Sequence, residues 1–366
     1  MRSPRSGQLD LQTRIEMHRT YWDRKPQAHP LAAFRIVEDF FFARHYAAAA
    51  PLLVPNKRIT PEMLVVDDFI EDYEKMFALT EELGQDAFWT AEPYTAIPWM
   101  EAMLGCEISA NEASFTSEPW LRSLNEIESI TFDPTNPWLA KYLEFTEKLV
   151  AVSKGRFPVG MPIMRGPSDM VGALMGQTEM VFALVDNPEL MKQFLLKVTD
   201  IFLRVIEEQR KIAGKFHGGE AMGFYHVYCP GTCIWYQEDL SALLSPDAYR
   251  KFLVEPARRI CRDYQYTAVH LHPTSFFILD QLLANDTLSA IEVNKDVGGP
   301  SVPQMIPQLK RIVEVKNLML WGDLTPEDLE CLRDALPATG LFFHIITPTM
   351  EAAKELLSII RSWKTG

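Results

Sequence analysis

The chain has 366 residues, 47% of them hydrophobic and 23% charged, with a formal net charge of −13. That length supports a large core, in two domains or in one α/β barrel with additions. The negative balance and the lack of a basic run argue against nucleic acid or an anionic membrane as partner. No stretch reaches the roughly 20 apolar residues of a spanning helix, and the polar N-terminus lacks the apolar core of a secretory signal. Five cysteines, an odd number, do not suggest a disulfide framework. A soluble cytoplasmic protein with reduced thiols is expected.

In chain order, residues 1–27 read as a polar extension with a helix over 11–23. A strand is expected over 28–37, then a helix through Phe40-Phe41-Phe42 and Ala47 to Ala50 that Pro51 ends. Phe69, Tyr73, Met76, Phe77 and Thr80 have helical spacing over 67–83, and Gly84 sits where a C-terminal stop belongs. A second strand is predicted at 86–90. Residues 91–137, rich in proline, read as an irregular insertion or subdomain within one barrel domain spanning 1–366. Beyond it come a helix over 137–153, a strand over 157–164 ending at Arg165, and helices over 168–174 and 187–213.

From there the alternation is regular. Strands are predicted at 221–229, 266–272, 288–293, 318–321 and 341–346, separated by helices that open at Ser245-Pro246 and Thr325-Pro326. Eight strand–helix units imply a parallel sheet closed into a (β/α)₈ TIM barrel, whose site lies at the C-terminal strand ends.

Polar residues at those ends form a short list. His226, Tyr228 and Cys229 close strand four, and His270 and His272 close strand five. Glu292 and Asn294 follow on strand six, Asp323 on strand seven and His344 on strand eight. On a strand, positions i and i+2 share a face, so His270 and His272 present adjacent imidazoles. With His344 they could hold Zn²⁺ or another divalent metal, and a carboxylate could complete the site or orient a ligating imidazole from behind. Taken alone, such a pair is equally a hydrogen-bonded brace between loops, and His344 a satisfied core residue. Glu292, Asp323 and His226 are candidate catalytic groups; Tyr225, Cys229, Trp235 and Arg165 are candidate substrate contacts. Cys229-Pro-Gly-Thr-Cys233 lacks zinc-ribbon spacing, and no G-x-G-x-x-G or Walker motif is present.

Several segments together resemble the uroporphyrinogen decarboxylase superfamily. Phe157-Pro-Val-Gly-Met-Pro-Ile-Met-Arg-Gly-Pro167, Leu174-Met-Gly176 and Asp186-Asn-Pro-Glu189 are similar to its "GP…G…DPE" stretch. Leu244-Ser-Pro-Asp-Ala-Tyr249 resembles its "SPE-x-F/Y" helix start, and His270-Leu-His-Pro273 falls where the methyltransferase branch carries H-x-C-G. Leu320-Trp-Gly-Asp323 and the strand holding His344 fit the same order. The resemblance covers residues 155–364, and the first third only loosely.

The resemblance implies a (β/α)₈ barrel and two kinds of chemistry. The decarboxylases use no metal and grip a tetra-anionic substrate with an arginine-rich segment after strand one. Here only Arg35 and Arg44 are available, too few for that many charge-assisted contacts. The other branch uses zinc to move methyl groups between a corrinoid protein and a thiol, or from small methoxy or amine compounds. This chain replaces both zinc-ligating sulfurs, the first with His272 and the second with His344, so the metal would be more Lewis-acidic and better suited to an oxygen or amine donor. A corrinoid-binding D-x-H-x-x-G is absent, so a corrinoid would arrive on a partner protein. The expected activity is metal-assisted methyl transfer between a small substrate and that corrinoid, with homodimerisation left open. The alternatives are a metal-free decarboxylase with His344 as proton donor, and a barrel that binds a ligand without chemistry.

Overall fold

The computed structural model describes residues 9–363. Its first helix, Leu11–Trp22, starts where the Asp10 side chain accepts the Thr13 N–H, satisfying one of the free donors of the first turn. Residues 1–8 of the predicted extension lie outside the described residues. Among the described residues the strands in chain order are β1 (Leu31–Ile36), β2 (Arg58–Ile59), β3 (Glu107–Ala110) and β4 (Phe115–Glu118). They continue with β5 (Glu220–Met222), β6 (Val227–Cys229), β7 (Cys233–Gln237), β8 (Tyr266–Leu271), β9 (Ala290–Asn294), β10 (Asn317–Gly322) and β11 (Leu341–Thr347).

Six of them form one parallel sheet in the order β1-β11-β10-β9-β8-β7. Helices Val302–Val315 and Pro326–Ala335 carry the chain from β9 to β10 and from β10 to β11, and Met350–Arg361 follows β11. Every residue of β10 and β11 is buried, as parallel strands covered on both faces must be. This α/β architecture is compatible with a TIM barrel. No helix among the described residues is long and apolar enough to cross a membrane.

The second half follows the predicted alternation closely; the helix Val302–Val315 separates two of the predicted strands, and Thr325 and Asp328 cap the next one reciprocally. Helices Pro137–Ser153 and Val66–Leu83 also stand where expected, the latter ended by left-handed Gly84 at φ 67°.

Four regions differ. The predicted strand at 221–229 is instead the antiparallel hairpin β5–β6, and β7 takes its place beside β8. Gly223 breaks the run: a Cβ there would lie 2.6 Å from the Met161 carbonyl oxygen, so the chain turns close against its neighbour, and His226 sits in that turn at φ 56°. The predicted strands at 86–90 and 157–164 are not regular strands. They touch the sheet through isolated pairings: Ala87 N–H donates to Ala32, Ala91 pairs with Val159, and Arg165 pairs with Gln237. Residues 42–49 form two short 3₁₀ turns rather than one helix. Within 91–137, β3 and β4 join β2 in a three-stranded antiparallel sheet, and Trp99–Met103 is helical.

Candidate metal centre

Strand register assembles the site. β8 and β9 pair with His270 opposite Glu292, and β7 lies on the other side of β8 with Gln237 opposite His270. Parallel neighbours at one level share a face, so the imidazole stands beside the Glu292 carboxylate. Asp239 follows two residues after β7 and Asp296 two residues after β9, while His272 starts the turn Pro273–Ile278 that ends β8.

The Nε2 atoms of His270 and His272 stand 3.1 Å apart. Asp239 Oδ1 lies 3.8 Å from the first and 3.6 Å from the second, and this buried oxygen has no hydrogen-bond partner. Ligand atoms bound tetrahedrally to zinc at about 2.0–2.1 Å sit roughly 3.3 Å from one another. The three donors therefore already stand near the spacing that one ion requires. Among the described residues, they make up a group that could hold a metal. Two imidazole nitrogens and a carboxylate suit Zn²⁺ with one position left open, and also Fe²⁺.

Each donor is held from behind. His270 Nδ1 contacts Glu292 Oε2, which also accepts the Tyr225 hydroxyl at 2.8 Å. His272 Nδ1 donates to Asp296 Oδ1 at 2.7 Å, and Asn294 Nδ2 donates to the same oxygen at 2.6 Å. A carboxylate on Nδ1 keeps the proton there and leaves the Nε2 lone pair facing the other donors. Gln237 Nε2 occupies Asp239 Oδ2 at 2.6 Å, which leaves Oδ1 for the shared point. Asp169 fixes this loop by accepting the backbone N–H groups of Asp239 and Leu240 at 3.1 and 2.7 Å.

The electrostatics agree with the geometry. Burial opposes charge on His270, but Glu292, then Asp239 and Asp296, outweigh it and raise its pKa to about 9. Surroundings that favour a proton on this ring favour a metal cation at the same place. The trio opens onto a cavity of about 370 Å³, whose lining includes Tyr225, Arg165 and, from β4, Phe115.

The structure thus brings together His270 and His272, as the sequence reading expected, but with Asp239 as their third member. His344 sits on β11 against His226, ring centroids 4.8 Å apart, with both nitrogens buried and unpartnered. Glu292 braces His270 rather than facing the cavity. Asp323, more than half exposed, pairs with Lys295 Nζ at 3.3 Å. His226 accepts the Thr90 N–H on Nδ1 at 2.8 Å and lies outside the cavity lining. Of the predicted substrate contacts, Tyr225 and Arg165 line the cavity. Trp235 is fully buried behind Tyr225, its ring centroid 4.7 Å away. Cys229 is buried on β6, where Trp22 Nε1 donates to the neighbouring Tyr228 carbonyl. Asp239 and Asp296 were missed. With strand four placed at 221–229, Asp239 did not count as a strand-end residue, although Cys-Ile-Trp-Tyr-Gln before it is a buried, β-prone run.

No protein-family model matches the chain, and no curated protein sequence matches it. Among solved structures, a methyltransferase from Methanosarcina mazei has a similar fold, with a TM-score of 0.63 and 15% identity over 93% of this chain and 96% of that one. At that identity the likeness concerns the fold.

Proposed function

We propose that the chain is a metal-assisted methyltransferase that moves a methyl group from a small substrate to a corrinoid carried by a partner protein. Its scaffold is read as a single (β/α)₈ barrel with the extension 1–27 and the insertion 91–137. The observation that carries this reading is the convergence of Asp239, His270 and His272, each braced from behind, at the edge of a substrate-sized cavity. The fold of the Methanosarcina mazei methyltransferase supports it. A divalent metal, zinc first, would supply Lewis acidity to the methyl donor's oxygen or nitrogen.

The chain's own residues do the rest. Asp239, His270 and His272 hold the ion; Glu292 with Tyr225, and Asp296 with Asn294, fix the two imidazoles in the ligating tautomer. The bond from methyl to heteroatom breaks with its electron pair left on the heteroatom, which takes up a proton from water. The new bond to methyl is made with an electron pair from the reduced corrinoid. Asp323 and His226 have no part in this scheme, because one is tied to Lys295 and the other sits behind the cavity.

The test uses purified protein, cob(I)alamin in place of the partner, and a panel of methyl ethers and methylamines. Expected is zinc-dependent formation of methylcobalamin, seen by absorbance, abolished by chelation and restored by Zn²⁺. Methyl transfer that persists in metal-free protein, or no transfer with any donor in zinc-loaded protein, overturns the reading.

A further inference from the structure

The segment Cys229-Pro-Gly-Thr-Cys233 has no part in the proposed chemistry, and both of its cysteines are buried, Cys229 at 0% and Cys233 at 4% exposure. Cys229 ends β6 and Cys233 starts β7, with Pro230, Gly231 and Thr232 between them. Just before β6, Phe224 and Tyr225 belong to the cavity lining; just after β7, so does Asp239. The cysteines therefore sit at the base of a U whose two arms carry site residues. From Cys233 to Gln237 is four steps (237 − 233) of about 3.3 Å, so the base lies roughly 13 Å along β7 from Gln237.

The two thiols hydrogen-bond each other, and Cys229 Sγ also lies 3.9 Å from the Val227 carbonyl oxygen. The other buried thiols have different neighbours. Cys106 Sγ donates to the Ala173 carbonyl at 3.7 Å, and Cys261 hydrogen-bonds Thr267 and Thr287. The backbone around the pair is pinned. Gln265 Oε1 accepts the Thr232 N–H at 3.2 Å, and Thr232 Oγ1 accepts the Gln265 N–H at 3.1 Å. Gly231 fits against the same side chain, where a Cβ would collide with Gln265 Oε1. Glu220 Oε2 accepts the Cys233 N–H at 2.9 Å. A turn held at these points keeps each sulfur at a high effective concentration beside the other.

We propose that Cys229 and Cys233 are a reversible modification site, closed to a disulfide by exchange with a low-molecular-weight disulfide, and that this bond clasps the base of the U. Cys233, the more exposed of the two, loses its proton and attacks one sulfur of the small disulfide. That S–S bond breaks, and the released thiolate takes up a proton. Cys229 then attacks the Cys233 sulfur of the mixed disulfide, and its proton goes to the second departing thiol. Two protein thiols and one small disulfide become one protein disulfide and two small thiols, so atoms and electrons balance. Burial pushes the Cys229 thiol well above its ordinary range, so the second step relies on contact more than on a standing thiolate. Neither cysteine lines the cavity, and the clasp stands or falls apart from the methyl-transfer reading.

Purified full-length protein, loaded with zinc, is incubated folded with excess oxidised glutathione, alkylated in denaturant and analysed by peptide mass. Expected is a peptide carrying both cysteines that has lost two hydrogens and takes no alkyl group, while Cys106 and Cys261 are fully alkylated. In Cys229→Ser, Cys233 should retain a glutathione; in Cys233→Ser, Cys229 should stay a free thiol. Oxidation should raise the Tm of the parent by about 2–4 °C, reversed by dithiothreitol, with zinc stoichiometry unchanged. The parent decides without either variant. Full alkylation of Cys229 and Cys233 after oxidation, with half-buried Cys331 glutathionylated as proof of an active oxidant, overturns the proposal. A bond that forms only in denaturant, or that lowers Tm, overturns the claim that the fold poises the pair. Release of zinc on oxidation overturns the separation of the clasp from the site.

Discussion

The molecule holds two close pairs of histidines in opposite electrical surroundings. At the cavity, His270 and His272 each rest a nitrogen on a carboxylate, and Asp239 stands beside them. Deeper in, His226 and His344 meet edge to face beside Arg35, whose Nη2 is 3.5 Å from His226 Nε2. Burial acts on His270, His226 and His344 and favours the neutral form of each. Acidic neighbours reverse that for His270, whereas Arg35 adds to it for His226 and His344, which are held well below the usual imidazole range. Partner charge, more than burial, separates a pair that could hold a cation from a neutral packing pair.

The largest expected effect comes from removing the charge that defines the inner pair. Arg35 Nη2 donates to Glu92 Oε1 at 3.1 Å, and both side chains are buried. Arg35→Met leaves that carboxylate alone and should cost about 3–5 kcal/mol in chemical denaturation, while Arg35→Met with Glu92→Gln should recover most of it. A single variant as stable as the parent would mean that the ion pair does not set the charge of this region.

Next in size is a pH dependence of opposite sign at the two pairs, measured on chelator-treated protein. His226 and His344 have folded pKa values below the usual 6.5, so the unfolded chain binds more protons and stability falls as pH drops below about 6.5. His18, buried and held at about 4, acts in the same direction and contributes on the order of 3 kcal/mol across that window. His270, raised to about 9, gives stability that is full below about 6.5 and lost as pH rises through 9. Denaturation midpoints should therefore fall on both sides of neutrality, and His270→Gln should flatten the alkaline side only. An alkaline limb unchanged by that substitution would remove the acidic character assigned to the cavity.

The sequence carried part of this comparison. Imidazoles at i and i+2 on a strand had to share a face, and the pair at His270 and His272 does converge. The regular strand–helix alternation after residue 245 was legible because helix caps and apolar runs are local signals. The early strands were harder, since 86–90 and 157–164 hold the sheet by isolated pairings that leave no alternating pattern. His344 looked like a third ligand because strand order alone does not say which side chains meet across the interior. That depends on Asp239, reached through a strand misplaced by the Gly223 turn, and on Arg35, which lies 309 positions earlier in the chain (344 − 35).

Zinc affinity sharpens the contrast in smaller steps. Loss of a ligand, in Asp239→Ala or His272→Ala, should weaken Zn²⁺ by more than about 100-fold in competition with a chromogenic chelator. Asp296→Ala, which only releases His272 Nδ1, should weaken it by about tenfold, in the range for partners behind a ligand. If Asp296→Ala matched the ligand variants, Asp296 itself would be binding the ion.

The smallest effect is the most discriminating. His344→Gln should leave Zn²⁺ affinity within about threefold of the parent, because no carboxylate faces either of its nitrogens and Arg35 opposes a cation there. Gln keeps a polar side chain of similar reach, so the substitution tests ligation more than packing. Were His344 a ligand, its loss would match that of His272 at roughly 100-fold or more. Then Tyr225, whose ring lies 6.4 Å from His344 and whose hydroxyl is 3.1 Å from His270 Nδ1, would have to swing aside for the two imidazoles to meet. Its hydroxyl would leave Glu292, and the support behind His270 would weaken in the act of gaining a ligand. Tyr225 thus braces His270 through Glu292 while its ring touches His344 of the other pair.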